Sequence, residues 1–167
     1  IRLHDQAQRQ LGERIRAEAE LRRYQEHLEE LIQERTADLR ESESRYRSLF
    51  DGVPVGLYRT TSAGQVIDAN LAQVQMMGYP SREALLAAHT TPAFVHPEDR
   101  QCWLEQINQG GSVQSFETQL CRCDGSVMWV RDTAQAIYNA QGQVEFYEGT
   151  LEDITERKHA EEAMRDS

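Results

Sequence analysis

Residues 1–50 contain no proline and a single glycine, Gly12, within a dense mixture of Glu, Arg, Gln, Leu and Ala. Nothing in that stretch breaks a helix, and the composition is strongly helical, so one long α-helix is expected. One apolar row falls at Leu3, Ala7, Ala17, Leu21, Tyr24, Leu28 and Leu31, with Gln10 and Arg14 as a polar layer in the gap. Steps of three and four are the spacing of a narrow coiled-coil seam. After Leu28 the row shifts to Ile32, Leu39 and Tyr46, with Leu49 following. The four-residue step from Leu28 to Ile32 is a stutter, which locally unwinds a coiled coil. A solitary helix would leave this seam in water. We therefore expect residues 1–43 to pair as a parallel coiled coil, giving a homodimer with Leu21, Tyr24, Leu28, Leu31, Ile32, Leu39 and Tyr46 in the seam. The heptads do not set the direction; it follows if the helix enters identical domains side by side.

The pattern changes near Phe50, where Gly52 and Pro54 stop the helix. Two short strands are predicted at roughly 55–60 and 65–69 around Ser62-Ala63-Gly64. Asn70 suits the N-cap of a short helix that ends at Gly78 in the left-handed position, and Ser81 suits a second cap. Pro97, Glu98 and Asp99 open a third helix, with proline and two acids where the helix dipole favours them. The last third is strand-rich. Asp124-Gly125 marks a hairpin between 115–123 and 126–139, and the Ala140-Gln141-Gly142 turn leads to a further strand. Two strands, several helices and three antiparallel strands argue for an α+β fold, a five-stranded sheet with helices on one face.

That order resembles the PAS family, on motifs spread over residues 44–156. "SRYRSLFDGVPVGLYRT" (44–60) is similar to the family's first helix and strand, and "GQVIDAN" with "MMGY" (64–79) to its strand, Asn cap and Gly-Tyr. "FVHPEDR" (94–100) resembles its His-Pro-x-Asp-Arg helix opening, and "RCDGSVMWV" (122–130) its Asp-Gly hairpin leading to Trp. "GTLEDITERKHAEEAMR" (149–165) resembles the closing Asp-Ile-Thr signature. The resemblance implies a small cavity between sheet and helices, and a role in sensing or association that is passed to an output domain such as a histidine kinase or a diguanylate cyclase. "HLEELIQERTADLRESESRYRSLF" (27–50) resembles the signalling helices that precede such modules in bacterial sensors. The implied coupling residues are Asp153, Ile154 and Thr155, with Asp124, Gly125 and Trp129 in the hairpin. Asp153 and Thr155 stand where the last strand ends, so both can bond main chain there and fix the direction of the next helix. Arg122 and Arg131 are alternative ion partners for Asp153, and Thr155 could instead simply cap the helix. Residues 157–167, with Ala160, Ala163 and Met164 as an apolar stripe, read as the start of an output helix in a longer protein.

Other chemistry finds little support. In haem-binding members of the family an axial His lies on the corresponding helix; here "HPEDRQCWLEQINQ" (96–109) carries no His after His96, and Trp103 stands near that place. Flavin-thiol photosensors need a Cys that "REALLAAHTTPAFV" (82–95) lacks. Cys121 and Cys123 share a strand face but have no partners for zinc beyond Cys102 and scattered His. "NQGGS" (108–112) lacks the Lys-Ser/Thr of a phosphate loop. No catalytic set is visible, so we expect no enzyme activity and no cofactor. A net charge of −10, spread along the chain, argues against nucleic-acid binding. An odd cysteine count without framework spacing reads as a reducing, cytoplasmic setting. No apolar run is long enough to span a bilayer, so this stretch is expected to make no direct membrane contact, although a parent protein could be anchored upstream. The candidate cavity residues are Val74, Met77, Leu85, Phe94, Trp103, Ile107, Phe116, Ile137 and Phe146. We expect most of them to be core, leaving the interior empty or filled by side chains. The favoured function is a relay module, with small-molecule sensing or a protein-interaction platform as alternatives.

Overall fold

A computed structural model describes residues 1–88 and 93–167. Residues 1–48 form one unit and residues 49–167 a second. The first unit is helical from Arg2 onward, part of α1 (Arg2–Gly52), which continues unbroken through the Leu28–Ile32 step. None of its residues is buried. The seam residues are exposed in the single chain, from 39% at Leu28 to 69% at Leu39.

The second unit continues with β1 (Gly56–Thr60), β2 (Val66–Ala69), α2 (Leu71–Met76), α3 (Arg82–Ala87), β3 (Ala93–Phe94), α4 (Pro97–Gly110), β4 (Ser112–Cys121), β5 (Val127–Tyr138), β6 (Val144–Asp153) and α5 (Thr155–Arg165). The sheet order is β2-β1-β6-β5-β4-β3, and every pairing is antiparallel. The five expected strands are all present, and the two-residue β3 adds a sixth at the edge of β4. β4 starts earlier than the sequence suggested, at Ser112. A bulge between Val113 and Phe116 puts Ser115 at φ 50 and hides the alternation there.

Local chemistry accounts for the joints. Asn70 caps α2 by accepting from the N–H of Gln73, and Ser81 caps α3 by accepting from Ala84. α2 ends with Gly78 and Tyr79 donating to the carbonyls of Gln75 and Val74, the paired bonds of a left-handed helix end. The three hairpins share one design. Thr61 bonds Gln65, Arg122 bonds Ser126 and Asn139 bonds Gln143, each N–H to O at 2.8 Å. Gly64, Gly125 and Gly142 close those loops at φ 91, 84 and 76, a conformation that disfavours any side chain.

Along β5 the alternation is clean: Met128, Val130, Asp132, Ala134 and Ala136 are buried. Trp103 and Ile107 of α4 pack on Val113, Ala134 and Tyr147, while Met77 packs with Leu120, Met128, Val130 and Leu151. Val74 and Leu85 close a third cluster with Val66 and Ala69. β1 lies beside β6, with Gly56 opposite Leu151, so the segment that enters the sheet and the segment that leaves it sit at one end of neighbouring strands.

Asn70 is fully buried and makes four bonds to main chain. Its Oδ1 accepts from Leu57 (2.8 Å) and Gln73 (3.0 Å), and its Nδ2 donates to Phe50 and Val55 (both 2.9 Å). Asn70→Ala removes all four bonds and should lower stability by about 3–4 kcal/mol. Urea unfolding should show a lower midpoint with an unchanged slope.

Candidate functional site

Two features of the second unit stand out: a polar joint where β6 becomes α5, and a cavity beneath the sheet. At the joint, Asp153 ends β6. Its Oδ2 accepts from Arg122 at 2.8 Å, and its Oδ1 accepts from the hydroxyl (2.5 Å) and the N–H (3.0 Å) of Thr155. The Thr155 hydroxyl accepts in turn from the N–H of Trp129 at 3.0 Å, and Ile154 donates to the Trp129 carbonyl at 2.9 Å. The ladder between β5 and β6 is thereby prolonged into the first residues of the helix. Thr155 does not cap α5, whose N-cap position is the buried Ile154. Arg122 also donates to the Met76 carbonyl at 3.1 Å and to Ser126, which bonds Asp124 at 2.6 Å. The hairpin that contains Asp124 and Gly125 is thus tied to both the joint and α2.

Arg122, rather than Arg131, is the partner of Asp153. Arg131 lies opposite Glu152 in the register and pairs with it at 2.6 Å. One residue further along, Asp153 points to the other face. Burial pushes the Asp153 carboxyl up, but the Thr155 bonds and Arg122 outweigh it and hold the group below its ordinary value. The first turns of α5 are fastened to the sheet by charge. The Lys158 ammonium lies 4.9 Å from the centre of the Trp129 ring and 2.5 Å from Glu117. Arg157 pairs with Glu117 and with Glu161. The Lys158 bond above all, helped by Arg157, holds the Glu117 carboxyl below its ordinary value against the opposing effect of burial.

The cavity has a volume of about 60 Å³ and lies between the sheet, α2 and α4. At ~10–15 Å³ for each water position, it has room for roughly four to six waters. Ser62 and Gly64 of the first hairpin form its rim with Arg100, which donates to the Ala63 carbonyl at 3.0 Å. Tyr58, Phe94, Trp103 and Tyr147 bring aromatic rings to its walls. Trp103 and Tyr147 meet edge to face with ring centres 5.2 Å apart.

Asp132, 6% exposed, also lines this cavity. It accepts from the Tyr58 hydroxyl at 2.8 Å and from the Trp103 indole N–H at 2.8 Å. Among the described residues no arginine or lysine pairs with it. Burial raises its carboxyl to about 6 against the lowering effect of those two bonds. Burial, with Asp132 beside it, likewise raises the Tyr58 hydroxyl. The Tyr58–Asp132 bond needs a glycine at 149, because a Cβ there would stand 2.9 Å from the Tyr58 oxygen and 2.7 Å from the Thr133 carbonyl. Gln73, 5% exposed, forms another part of the wall, and among the described residues its Oε1 has no hydrogen-bond partner.

Of the nine expected cavity residues, Phe94 and Trp103 line it. Val74, Met77, Leu85 and Ile107 are packed core, and Phe116 packs beside the Trp103 cluster. Ile137 and Phe146 are corrections. They pair with each other one residue out of phase with the buried Ala136 and Tyr147, so they lie on the opposite face, with Phe146 under Arg59 at 4.4 Å. The interior is not filled by side chains, and its polar residues went unnoticed in the sequence. An aspartate in register with Met128, Val130, Ala134 and Ala136 was the available signal. Among the described residues, no three His, Cys, Asp or Glu side chains group to hold a metal, and no helix is long and apolar enough to cross a membrane.

A family described as PAS fold matches residues 66–151. The chain is 29% identical over 127 residues to the uncharacterised protein y4lL of Sinorhizobium fredii. It is 25% identical over 126 residues to the probable diguanylate cyclase DgcE of Escherichia coli. These matches take in 74% and 73% of this chain but span only 15% and 11% of those proteins. The crystal structure of a PAS domain from Colwellia psychrerythraea superposes with a TM-score of 0.58 at 24% identity, covering 68% of this chain and 97% of that one.

The burial of Asp132 makes stability depend on pH. The folded chain holds this proton up to about pH 6, the unfolded chain only to about 3.8. The protonated form's contribution is therefore complete below about pH 4 and is lost as pH rises to about 6. Asp132→Asn removes that dependence. Relative to the variant, the native chain should lose about 2–3 kcal/mol of unfolding free energy between pH 4 and pH 7, measured by urea titration.

Proposed function

This chain belongs to the PAS family, and on that footing we propose that it is a non-catalytic, dimeric signalling module. Residues 1–43 carry a signal in as a parallel coiled coil, the domain over 44–156 couples it, and the helix from 157 onward passes it to an output domain such as a histidine kinase or a diguanylate cyclase. The observation that carries this reading is the joint of Arg122, Trp129, Asp153 and Thr155, where side chains extend the sheet's bonding into α5. A rotation or tilt of β5 and β6 is then transferred to the helix instead of being absorbed by a slack linker. The neighbouring positions of β1 and β6 suit the same role, since the way in and the way out meet on adjacent strands. The wet seam of α1 supports dimerisation, because a partner helix would cover residues that are otherwise exposed.

The cavity favours a second reading, in which the domain itself senses a small molecule and the joint reports it. A carboxylate without a cation and an amide oxygen without a donor among the described residues are unusual in a purely structural interior.

Native mass spectrometry of the chain should give a dimer, and Leu21→Asp combined with Leu28→Asp should give a folded monomer; a native chain that is monomeric at micromolar concentration removes the coiled-coil pairing. Asp153→Ala should speed amide exchange in the first turn of α5 by about tenfold while the central strands stay protected. In the parent protein the same change should uncouple signal from output, and unaltered signalling there would count against the joint.

A further inference from the structure

We propose that the cavity of this domain binds a small organic cation, an alkylammonium of about four to six heavy atoms. The inference rests on the sensing reading and adds the chemistry of the ligand. A carboxylate offers about four acceptor positions. Asp132 receives donors only from the Tyr58 hydroxyl and the Trp103 indole among the described residues. It is therefore a buried acceptor with capacity to spare, and an ammonium would bring both the missing charge and further N–H donors. Gln73 adds a second stretch of wall whose Oε1 lacks a donor among the described residues.

The rest of the lining suits the alkyl part and the charge together. Tyr58, Phe94, Trp103 and Tyr147 surround the space with aromatic rings, and Trp103 and Tyr147 stand at 87° to one another, forming a corner. Aromatic faces attract cations and also accept methylene groups. The surrounding charge points the same way. Thr118, another lining residue, donates to Asp99 at 2.7 Å, so a second carboxylate stands directly behind the wall. The one arginine or lysine of the lining among the described residues, Arg100, is bonded to the Ala63 carbonyl at the rim. A small anion would meet Asp132 with no arginine or lysine paired to it among the described residues, while a neutral molecule would leave its charge uncompensated.

Three probes of matched size separate these cases: n-butylammonium, 1-butanol and propionate, each titrated into the whole chain and followed by calorimetry and by the indole N–H resonances of Trp103 and Trp129. The expected result is n-butylammonium binding at least about tenfold more tightly than 1-butanol, with propionate no better than 1-butanol. The Trp103 indole signal should move, because that N–H bonds Asp132, and the Trp129 signal should not. Asp132→Asn should level the two affinities. Leu104→Phe, which leaves Asp132 in place but fills the cavity, should abolish both. Equal affinities in the native chain overturn the proposal and keep the sensing reading. A preference for propionate also overturns it and makes Arg100 the recognising group. Ammonium binding that survives Leu104→Phe overturns it as attraction to the acidic surface. Failure of all three probes to bind removes both this proposal and the sensing reading.

Discussion

A single buried carboxamide holds the entrance of this domain together. Asn70 bonds main-chain groups from the end of α1, the approach to β1, β1 itself and the first turn of α2, and each of its polar atoms is used. A fully satisfied polar group of this kind fixes geometry more narrowly than apolar contact can, because any displacement leaves desolvated donors and acceptors behind. A second layer surrounds it. Asp51 accepts from the Leu71 N–H at 2.9 Å and pairs with Arg82, which donates to the Ala69 carbonyl at 2.6 Å. The placement of β1 against β6, and hence of Tyr58 in the cavity wall, depends on this clasp.

The interior that follows is built from a compromise. A chain optimised only for stability would place valine or leucine at 132, in step with Val130 and Ala134. Instead the position holds a carboxylate, kept acceptable by a phenol and an indole that reach it from β1 and α4. Those two rings cannot also collapse into the space they border, so the polar bonds keep the cavity open as well as making it polar. Gly149 is part of the same arrangement, since its missing side chain is what lets the Tyr58 hydroxyl arrive.

Much of this architecture was legible in the sequence because it rests on local rules. Asn70 and Ser81 as caps, Gly78 as the left-handed helix end, the glycine-closed hairpins and the Asp153–Thr155 exit all depend on residues within a few positions of one another. The failures were non-local. Arg122 and Arg131 could be separated only by knowing that Arg131 lies opposite Glu152, a matter of cross-strand register. Ile137 and Phe146 are apolar enough for a core, yet they fall on the outer face because a one-residue phase difference exchanges the faces of a strand. The cavity depends on side chains from β1, β5, α2 and α4 together, and no short window contains them.

The pairing of β1 with β6 carries a mechanical consequence. Five successive residues, Gly56 to Thr60, are held opposite Leu151 to Tyr147. If one strand slid past the other by a single residue, Tyr58 would turn outward, away from Asp132, and Leu57 would take its place inside. Sliding is thus blocked by a steep chemical barrier, while bending and twisting leave every pair intact. The ribbon is stiff in shear and compliant in torsion, more like a leaf spring than a piston.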